Sequence, residues 1–243
     1  MLQVEAQKVL DQVTLIERGL GELNNLQRGE LKLGSSLTIG NYWLPDRISR
    51  FKRRYPGIKV KCTLGNTEVI IAGTIAGLFD LSFVEGEVKP SDLACLELKT
   101  VGSDRLEIVV GKSHPWYKRT QVPLPELSKT AWVMREEGSG TRQRFEQALR
   151  DWRIEPTELT VILEMSSGEM VKAVVESGVG AAAISELMVK KELQLDTLHS
   201  IPVTDCTERS AIPVEIVRPF FLLKHRQRFQ TRISQAFEKI LVQ

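Results

Sequence analysis

The chain has 243 residues, 33 basic and 31 acidic side chains, and a formal net charge of +2. This length fits one large domain or two small ones with a substantial buried core. The charge balance argues against a strong nucleic-acid or membrane-surface binder, and the longest apolar stretches, residues 179–184 and 219–223, are too short to span a bilayer.

The first thirty residues carry a heptad pattern. Apolar side chains alternate at spacings of four and three residues over about three heptads, at Leu2, Ala6, Val9, Val13, Ile16, Leu20 and Leu23. The pattern predicts a coiled-coil-like helix over residues 1–28 that contacts a second copy of the chain. An amphipathic helix packed on its own domain is the alternative.

The first strand-to-helix junction follows this segment. Leu31 and Leu33 alternate in a strand that stops at Ser35 and Ser36, and a helix begins near Thr38. The start of a helix presents unpaired N–H groups and the positive end of its dipole, so a small anion or carboxylate is well received there. A helix cap made by Ser36 or Thr38 is the alternative.

The rest of the chain alternates strands with helices. Strands are predicted at residues 58–64, 79–84, 95–101, 105–111, 131–134, 159–165, 180–184 and 211–217. Helices are predicted between several of these strands, and a closing helix carries Phe229, Ile233, Phe237 and Ile240. Such alternation predicts βαβ units, a largely parallel sheet and an α/β fold.

Four of the strand-to-helix junctions carry a hydroxyl residue, near Thr38, Thr67, Ser139 and Ser167. In open α/β sheets, ligands bind at the carboxyl ends of the strands, where helix N-termini point. Two junctions fall in the first part of the chain and two in the middle. We therefore expect a cleft between two lobes that binds an anionic or polar small molecule.

Motifs for catalysis, metals and cofactors are missing. The sequence has no phosphate-binding loop, no complete dinucleotide fingerprint and no nucleophile elbow. The three histidines show no metal-ligand spacing, and His114 is expected in a surface loop. Cys62, Cys95 and Cys206 are expected to be free, buried thiols in a reducing cytoplasm, since no signal peptide is visible. Glu136 and Glu137 are expected to be solvated, so we expect binding without catalysis, cofactor or metal.

Several ordered motifs resemble one known family, the effector-binding domain of LysR-type transcriptional regulators. They are Gly29–Gly34, Thr38–Pro45, Phe51–Ile58, Gly65–Thr67, Phe79–Gly86, Val109–Pro115 and Glu176–Gly180. The set covers nearly the whole chain, and Thr38–Tyr42 with Gly65–Thr67 looks closest to the branches that regulate carbon fixation, inorganic-carbon uptake or sulfur assimilation.

The resemblance implies two Rossmann-like subdomains of the type 2 periplasmic-binding-protein kind, joined by two crossover strands. The first would comprise residues 29–101 plus 205–243 and the second residues 102–204. The effector would contact Ser35, Ser36, Thr38, Thr67, Gly138, Ser139, Gly140 and Thr141. Glu85 would lie beside the cleft, where its negative charge would oppose an anionic effector.

The resemblance also implies a parent protein that acts as a cytoplasmic homodimer or homotetramer. The family's N-terminal helix-turn-helix has no counterpart before Met1, so contact with DNA would need a domain that this sequence does not contain. Two rival functions remain open. A transporter's solute-binding protein would have an export signal and be a monomer, and a cleft enzyme would have a base near Ser36 or Ser139.

Overall fold

The computed structural model describes residues 27–205 and 212–241. The predicted coiled-coil-like helix over residues 1–28 therefore lies almost entirely outside the described residues, as does Cys206. The described chain forms two compact units. Unit 1 comprises residues 27–84, 88–101 and 221–241, and unit 2 comprises residues 85–87, 102–205 and 212–220. The predicted division placed residues 85–87 and 205–220 in the first subdomain, whereas the described members of both segments belong to unit 2.

Unit 1 is built on a parallel arrangement of strands. β1 (Gly29–Ser36) pairs in parallel with β2 (Ile58–Gly65) on one side and β3 (Leu81–Glu85) on the other. Helix α1 (Leu44–Arg54) follows β1, α2 (Thr67–Ile75) follows β2, and α6 (Arg232–Leu241) closes the chain. Phe51 of α1 and Phe83 of β3 both pack on Phe237 of α6, with ring centroids 5.2 and 6.2 Å apart.

Unit 2 repeats the α/β pattern. β4 (Leu96–Gly111), β8 (Ala181–Ser185), β6 (Ala131–Arg135) and β7 (Thr160–Met165) are neighbours in that order, and β9 (Leu198–Ser200) also pairs with β4. Strands β7, β6 and β8 follow the same second-first-third order as β2, β1 and β3 of unit 1. A small second sheet contains β5 (Val122–Pro123), β10 (Val203–Asp205) and β11 (Ile212–Val214). The helices are α3 (Gly140–Asp151), α4 (Gly168–Glu176) and α5 (Glu186–Gln194).

The core of unit 2 is centred on Trp132 of β6. Its ring lies 4.9 Å from that of Phe145 and 6.5 Å from that of Trp116, measured between centroids. Its indole N–H donates to the carbonyl of Leu127 over 2.8 Å, so the buried ring leaves no polar atom unsatisfied.

Two long strands continue from one unit into the other, whereas β3 contributes only its last residue, Glu85, to unit 2. β4 contains the boundary between residues 101 and 102, and β12 (Ile216–His225) contains the boundary between residues 220 and 221. The prediction of two crossover strands is confirmed in this sense, and the α/β class is confirmed for the described residues.

Several predicted elements are corrected. Residues 95–101 and 105–111 form the single strand β4, because Gly102 and Ser103 do not interrupt it. The predicted strand at 211–217 is instead β11 followed by the longer β12, and the predicted strand at 79–84 begins only at Leu81. Phe229 precedes α6 and is 61% exposed, and helix α5 was not predicted. Cys62 is exposed and Cys95 is half-buried, so neither is the buried thiol that was predicted, and Cys62 lies on β2, whose side chains are mostly exposed.

Candidate effector site

The unit 1 candidates lie together at the carboxyl ends of β1 and β2. Ser36 is the last residue of β1 and pairs in register with Gly65, the last residue of β2. Thr67 begins α2 two residues after that pair. The side chains of Ser35, Ser36, Thr38 and Thr67 are all buried, and the Ser35 hydroxyl donates to the carbonyl of Ser36 over 3.0 Å.

The chain leaves β1 through an unusual helical turn. Ile39–Trp43 is a π-helix that leads directly into α1. Such turns are rare and are frequent at functional sites, because they widen the helix and redirect its side chains. Thr38 stands at the N-cap position but makes no side-chain cap hydrogen bond. Residues 37 and 38 are already helical, and Thr38 itself has helical φ and ψ angles of −64° and −50°. Of the two predicted alternatives, a cap by the Thr38 side chain is therefore wrong, and a cap by Ser36 stays a prediction.

The corresponding junction in unit 2 lies between β6 and α3. Gly138 has a φ of +80°, a left-handed conformation that favours glycine, and it lets the chain turn sharply after Glu136. The N–H of Ser139 donates to the carbonyl of Glu136 over 3.3 Å, which closes the turn. Ser139 stands at the N-cap of α3, is buried, and makes no side-chain cap hydrogen bond.

Two other junctions behave as ordinary caps. The Asn66 side chain accepts from the N–H of Val69 at the start of α2, over 3.0 Å. The Ser167 hydroxyl accepts from the N–H of Met170 at the start of α4, over 3.2 Å. At two of the four junctions, the side chain at the N-cap position accepts a hydrogen bond from a helix N–H, namely at Asn66 and Ser167. At the other two junctions, the hydroxyls of Thr38 and Ser139 make no such bond.

Glu85 belongs to unit 2 and packs with the start of α3. A Cβ at Gly86 would lie 2.6 Å from the Cα of Gly140, so the absence of a side chain at Gly86 allows this close approach. The N–H of Glu87 donates to the side-chain oxygen of Gln143 over 3.2 Å. The Glu85 carboxylate lies 3.3 Å from a guanidinium nitrogen of Arg218, so its negative charge is opposed by a cation.

Arg218 is the centre of a buried polar network that the sequence analysis missed. It donates two hydrogen bonds to Asp104, over 2.8 Å from Nε and 2.5 Å from Nη2, and its Nη1 donates to the Thr141 hydroxyl over 2.8 Å. The Ser185 hydroxyl donates to Asp104 over 2.5 Å and also caps α5. Burial acts to lower the pKa of Arg218, but the carboxylates of Glu85 and Asp104 together raise it above its ordinary value, so the guanidinium is charged.

A sequence signal for this network exists. Arg218 alternates with Ile216 and Phe220 on the buried face of β12, and Asp104 alternates with Leu106 on the buried face of β4. A charged residue on the apolar face of a strand needs a partner of opposite charge, because a lone buried charge is very costly.

The described residues contain no cluster of three or more histidine, cysteine or acidic side chains that could hold a metal ion. None of the helices among them is both long and apolar enough to cross a membrane.

Comparison with known proteins identifies the family. A family model described as the LysR substrate binding domain matches residues 24–243. The chain belongs to this family. The match spans both units, and it confirms the resemblance on which the two-subdomain fold was predicted.

Sequence relatives carry one recurring description. A protein of Trichormus variabilis, described as a probable RuBisCO transcriptional regulator, is 29% identical over 222 residues, which are 91% of this chain and 64% of that protein. A protein of Porphyra purpurea with the same description is 28% identical over 91% of this chain and 68% of its own length. The chain thus spans about two thirds of the length of these relatives, which are described as regulators and not as transport proteins.

Solved structures show the same fold. The regulatory domain of Synechocystis CcmR, in complex with 2-PG, superposes with a TM-score of 0.74 at 23% identity, covering 88% of this chain and 96% of that domain. The effector-binding domain of QuiR, in complex with shikimate, gives a TM-score of 0.74 at 17% identity, covering 88% and 95%. At these identities the likeness establishes the type 2 periplasmic-binding-protein-like fold.

Proposed function

We propose that the chain binds a small anionic metabolite as the effector of a transcriptional regulator. Ser35, Ser36, Thr38 and Thr67 of unit 1 and Gly138, Ser139, Gly140 and Thr141 of unit 2 supply the hydrogen bonds. The observation that carries this proposal is the division of the four helix starts. Thr38 and Ser139 are buried hydroxyl residues at helix starts, yet their side chains do not cap the helix. Helix N-termini with available hydroxyls favour oxyanions.

We also propose that the site binds its ligand without catalysing a reaction on it. The ring nitrogens of His114 bond Thr130 and the N–H of Trp116, and Nε2 of His199 lies 3.2 Å from the carbonyl of Arg119. Among the described residues, no histidine is bonded to Thr38 or Ser139, so these hydroxyls lack the adjacent base that nucleophilic catalysis requires.

In the intact cytoplasmic protein, we expect effector binding to change the geometry of a homodimer or homotetramer and thereby the contact that another part of the regulator makes with DNA. The descriptions of the sequence relatives as transcriptional regulators support this role. The complexes of CcmR with 2-PG and of QuiR with shikimate make these two compounds the first effectors to test.

The test is a thermal-shift screen of the purified chain with 2-PG, shikimate, phosphate and sulfate, followed by calorimetry on the compound with the largest shift. Ser36→Ala and Ser139→Ala should each weaken its binding by about 1 kcal/mol or more, because each removes a hydrogen bond to the anion. Ser177→Ala is the matched control, since its hydroxyl bonds the carbonyl of Val174 at the C-terminal end of α4. Unchanged affinity in both test variants would remove these residues from the site, and an absence of binding to every compound would reject the proposed function.

A further inference from the structure

The buried network of unit 2 reaches one of the candidate effector residues. The Thr141 hydroxyl lies in the first turn of α3 and is the oxygen to which Nη1 of Arg218 donates, over 2.8 Å. Arg218 is fully buried and Thr141 is 6% exposed. The orientation of this hydroxyl therefore depends on a charged group that solvent does not reach.

The hydrogen bond from Arg218 uses one of the two acceptor lone pairs of the Thr141 hydroxyl and leaves its proton unused. A guanidinium has only donors and keeps its proton, so in this contact the Thr141 oxygen accepts. A hydroxyl has one proton to donate, and no described residue takes the proton of Thr141. The hydroxyl is thus held with its acceptor side toward Arg218 and its proton available to another group.

The direction of hydrogen bonding is set throughout the network. The N–H of Leu187 donates to the Ser185 hydroxyl over 3.2 Å, and that hydroxyl donates to Asp104. Asp104 accepts two further hydrogen bonds from Arg218, which holds the plane of the guanidinium. Arg218 donates in turn to Thr141 and Glu85, and because a guanidinium cannot accept a hydrogen bond, the direction of these two bonds cannot reverse.

We propose that Arg218, oriented by Asp104, is a positioning residue that presets the Thr141 hydroxyl as a hydrogen-bond donor to the effector. The effector then presents an oxygen acceptor, such as a carboxylate, phosphate or sulfate oxygen, to Thr141. A ligand group that can only donate a hydrogen bond is disfavoured at this position, because it would leave the proton of the buried Thr141 hydroxyl without an acceptor. This inference rests on the proposed function and adds the polarity that the site demands at one residue.

The test compares affinities in a double-mutant cycle. Thr141→Val, Arg218→Gln and the double variant are titrated by calorimetry with whichever of 2-PG, shikimate, phosphate and sulfate stabilises the unaltered chain most. Thr141→Val should weaken binding about tenfold or more, because a hydrogen bond to a charged acceptor is lost, and Thr141→Ser should restore it. Arg218→Gln should also weaken binding in the presence of Thr141 but have no further effect in the Thr141→Val background.

The second half of the cycle separates positioning from a general structural role. If Arg218 only supported the fold, its replacement would weaken binding equally with and without the Thr141 hydroxyl, and that result would overturn the proposal. Arg218→Gln leaves Asp104 without its cation and could therefore impair folding. If it does, the cycle is repeated with the double variant Asp104→Asn/Arg218→Gln in place of Arg218→Gln. Arg105→Gln is the control for loss of an arginine, since Arg105 bonds Glu186 and Glu215 on the surface of unit 2.

The outcomes keep the two proposals apart. Binding by the unaltered chain with unchanged affinity in Thr141→Val would overturn the inference and leave the proposed function standing on Ser36 and Ser139. An absence of binding to all four compounds by the unaltered chain would reject the proposed function and, with it, this inference.

Discussion

The two units bury polar groups near the candidate site in different ways. In unit 1 the buried polar side chains of the β1 and β2 junctions, α2 and the unit 1 part of β3 are neutral hydroxyls, namely Ser35, Ser36, Thr38, Thr67, Thr74 and Ser82. The buried Lys224 of this unit lies on β12, where it pairs with Glu97 and Glu238. In unit 2 the start of α3 is joined to a buried cation and two buried carboxylates, Arg218, Asp104 and Glu85. Both arrangements place hydroxyls at helix starts, but only the second relies on charge.

The difference predicts unequal tolerance to change. A neutral hydroxyl pair adds about 1 kcal/mol to stability and can be replaced by apolar groups of the same shape at little cost. A buried ion network costs much desolvation to form, and removal of one member leaves its partner charged and unsolvated. We therefore expect unit 1 to accept substitutions among its buried hydroxyls and unit 2 to resist substitutions in its network.

The largest expected effect is that of Arg218→Gln on folding. The change leaves the carboxylates of Asp104 and Glu85 buried without their cation, so it should lower the free energy of unfolding by about 3–5 kcal/mol. Addition of Asp104→Asn should recover part of this loss. Urea denaturation followed by circular dichroism measures both.

The control for this prediction is Arg105→Gln. Arg105 also forms two ion pairs in unit 2, but its side chain is 49% exposed, so its loss should lower the free energy of unfolding far less than the loss of Arg218 does. If Arg218→Gln and Arg105→Gln lowered the free energy of unfolding equally, burial of the Arg218 network would not increase its contribution to stability.

The same contrast explains what the sequence could and could not predict. Junctions in unit 1 were predictable because their signals are local: β2 ends at Gly65 and Asn66 caps α2 within three residues. The continuity of β4 through Gly102 was not predictable from local pattern, because strand pairing can override the weak strand preference of glycine and serine.

The buried network depends on contacts that are remote in sequence. Arg218 is 114 residues from Asp104, 133 from Glu85 and 77 from Thr141. Alternation along β12 places Arg218 on an apolar face, but it does not tell which acid or hydroxyl meets it. Ser139 was therefore predicted from its junction and Thr141 from the resemblance to the family, while Arg218, which donates to Thr141, was not predicted.

A substitution in the buried, neutral hydroxyl pair of unit 1 should have an intermediate effect. The Thr74 hydroxyl lies 2.7 Å from that of Ser82 and donates to the carbonyl of Ile70 over 2.6 Å. Thr74→Val should destabilise the chain by about 1–3 kcal/mol, because it leaves the buried Ser82 hydroxyl without its partner. Adding Ser82→Ala should return the free energy of unfolding close to its original value. A double variant as unstable as Thr74→Val alone would show that the neutral pair in unit 1 is no easier to replace than the ion network in unit 2.

The smallest expected effect is a loss of stability in acid, to which one histidine of each unit contributes for a different physical reason. Burial lowers the pKa of His114 in unit 2, where the ring packs on Trp116 and Nδ1 accepts from the N–H of Trp116 over 3.1 Å. Burial lowers the pKa of His225 in unit 1 as well, and the nearby positive charge of Arg228 lowers it further. Because both folded-state pKa values lie below the unfolded value of about 6.5, the unfolded chain takes up protons first as the pH falls.

The stability that the neutral rings contribute is thus complete above about pH 6.5 and declines below it. His114→Asn and His225→Asn keep an acceptor near Nδ1 but do not titrate, so each should flatten the fall in urea midpoint between about pH 7.5 and about pH 5.5. Salt distinguishes them: at about 1 M the charge of Arg228 is screened, so the contribution of His225 should shrink while that of His114, which comes from burial alone, should persist. An equal response of the two histidines to salt would mean that charge does not contribute to the shift in unit 1, because burial alone would then account for both histidines.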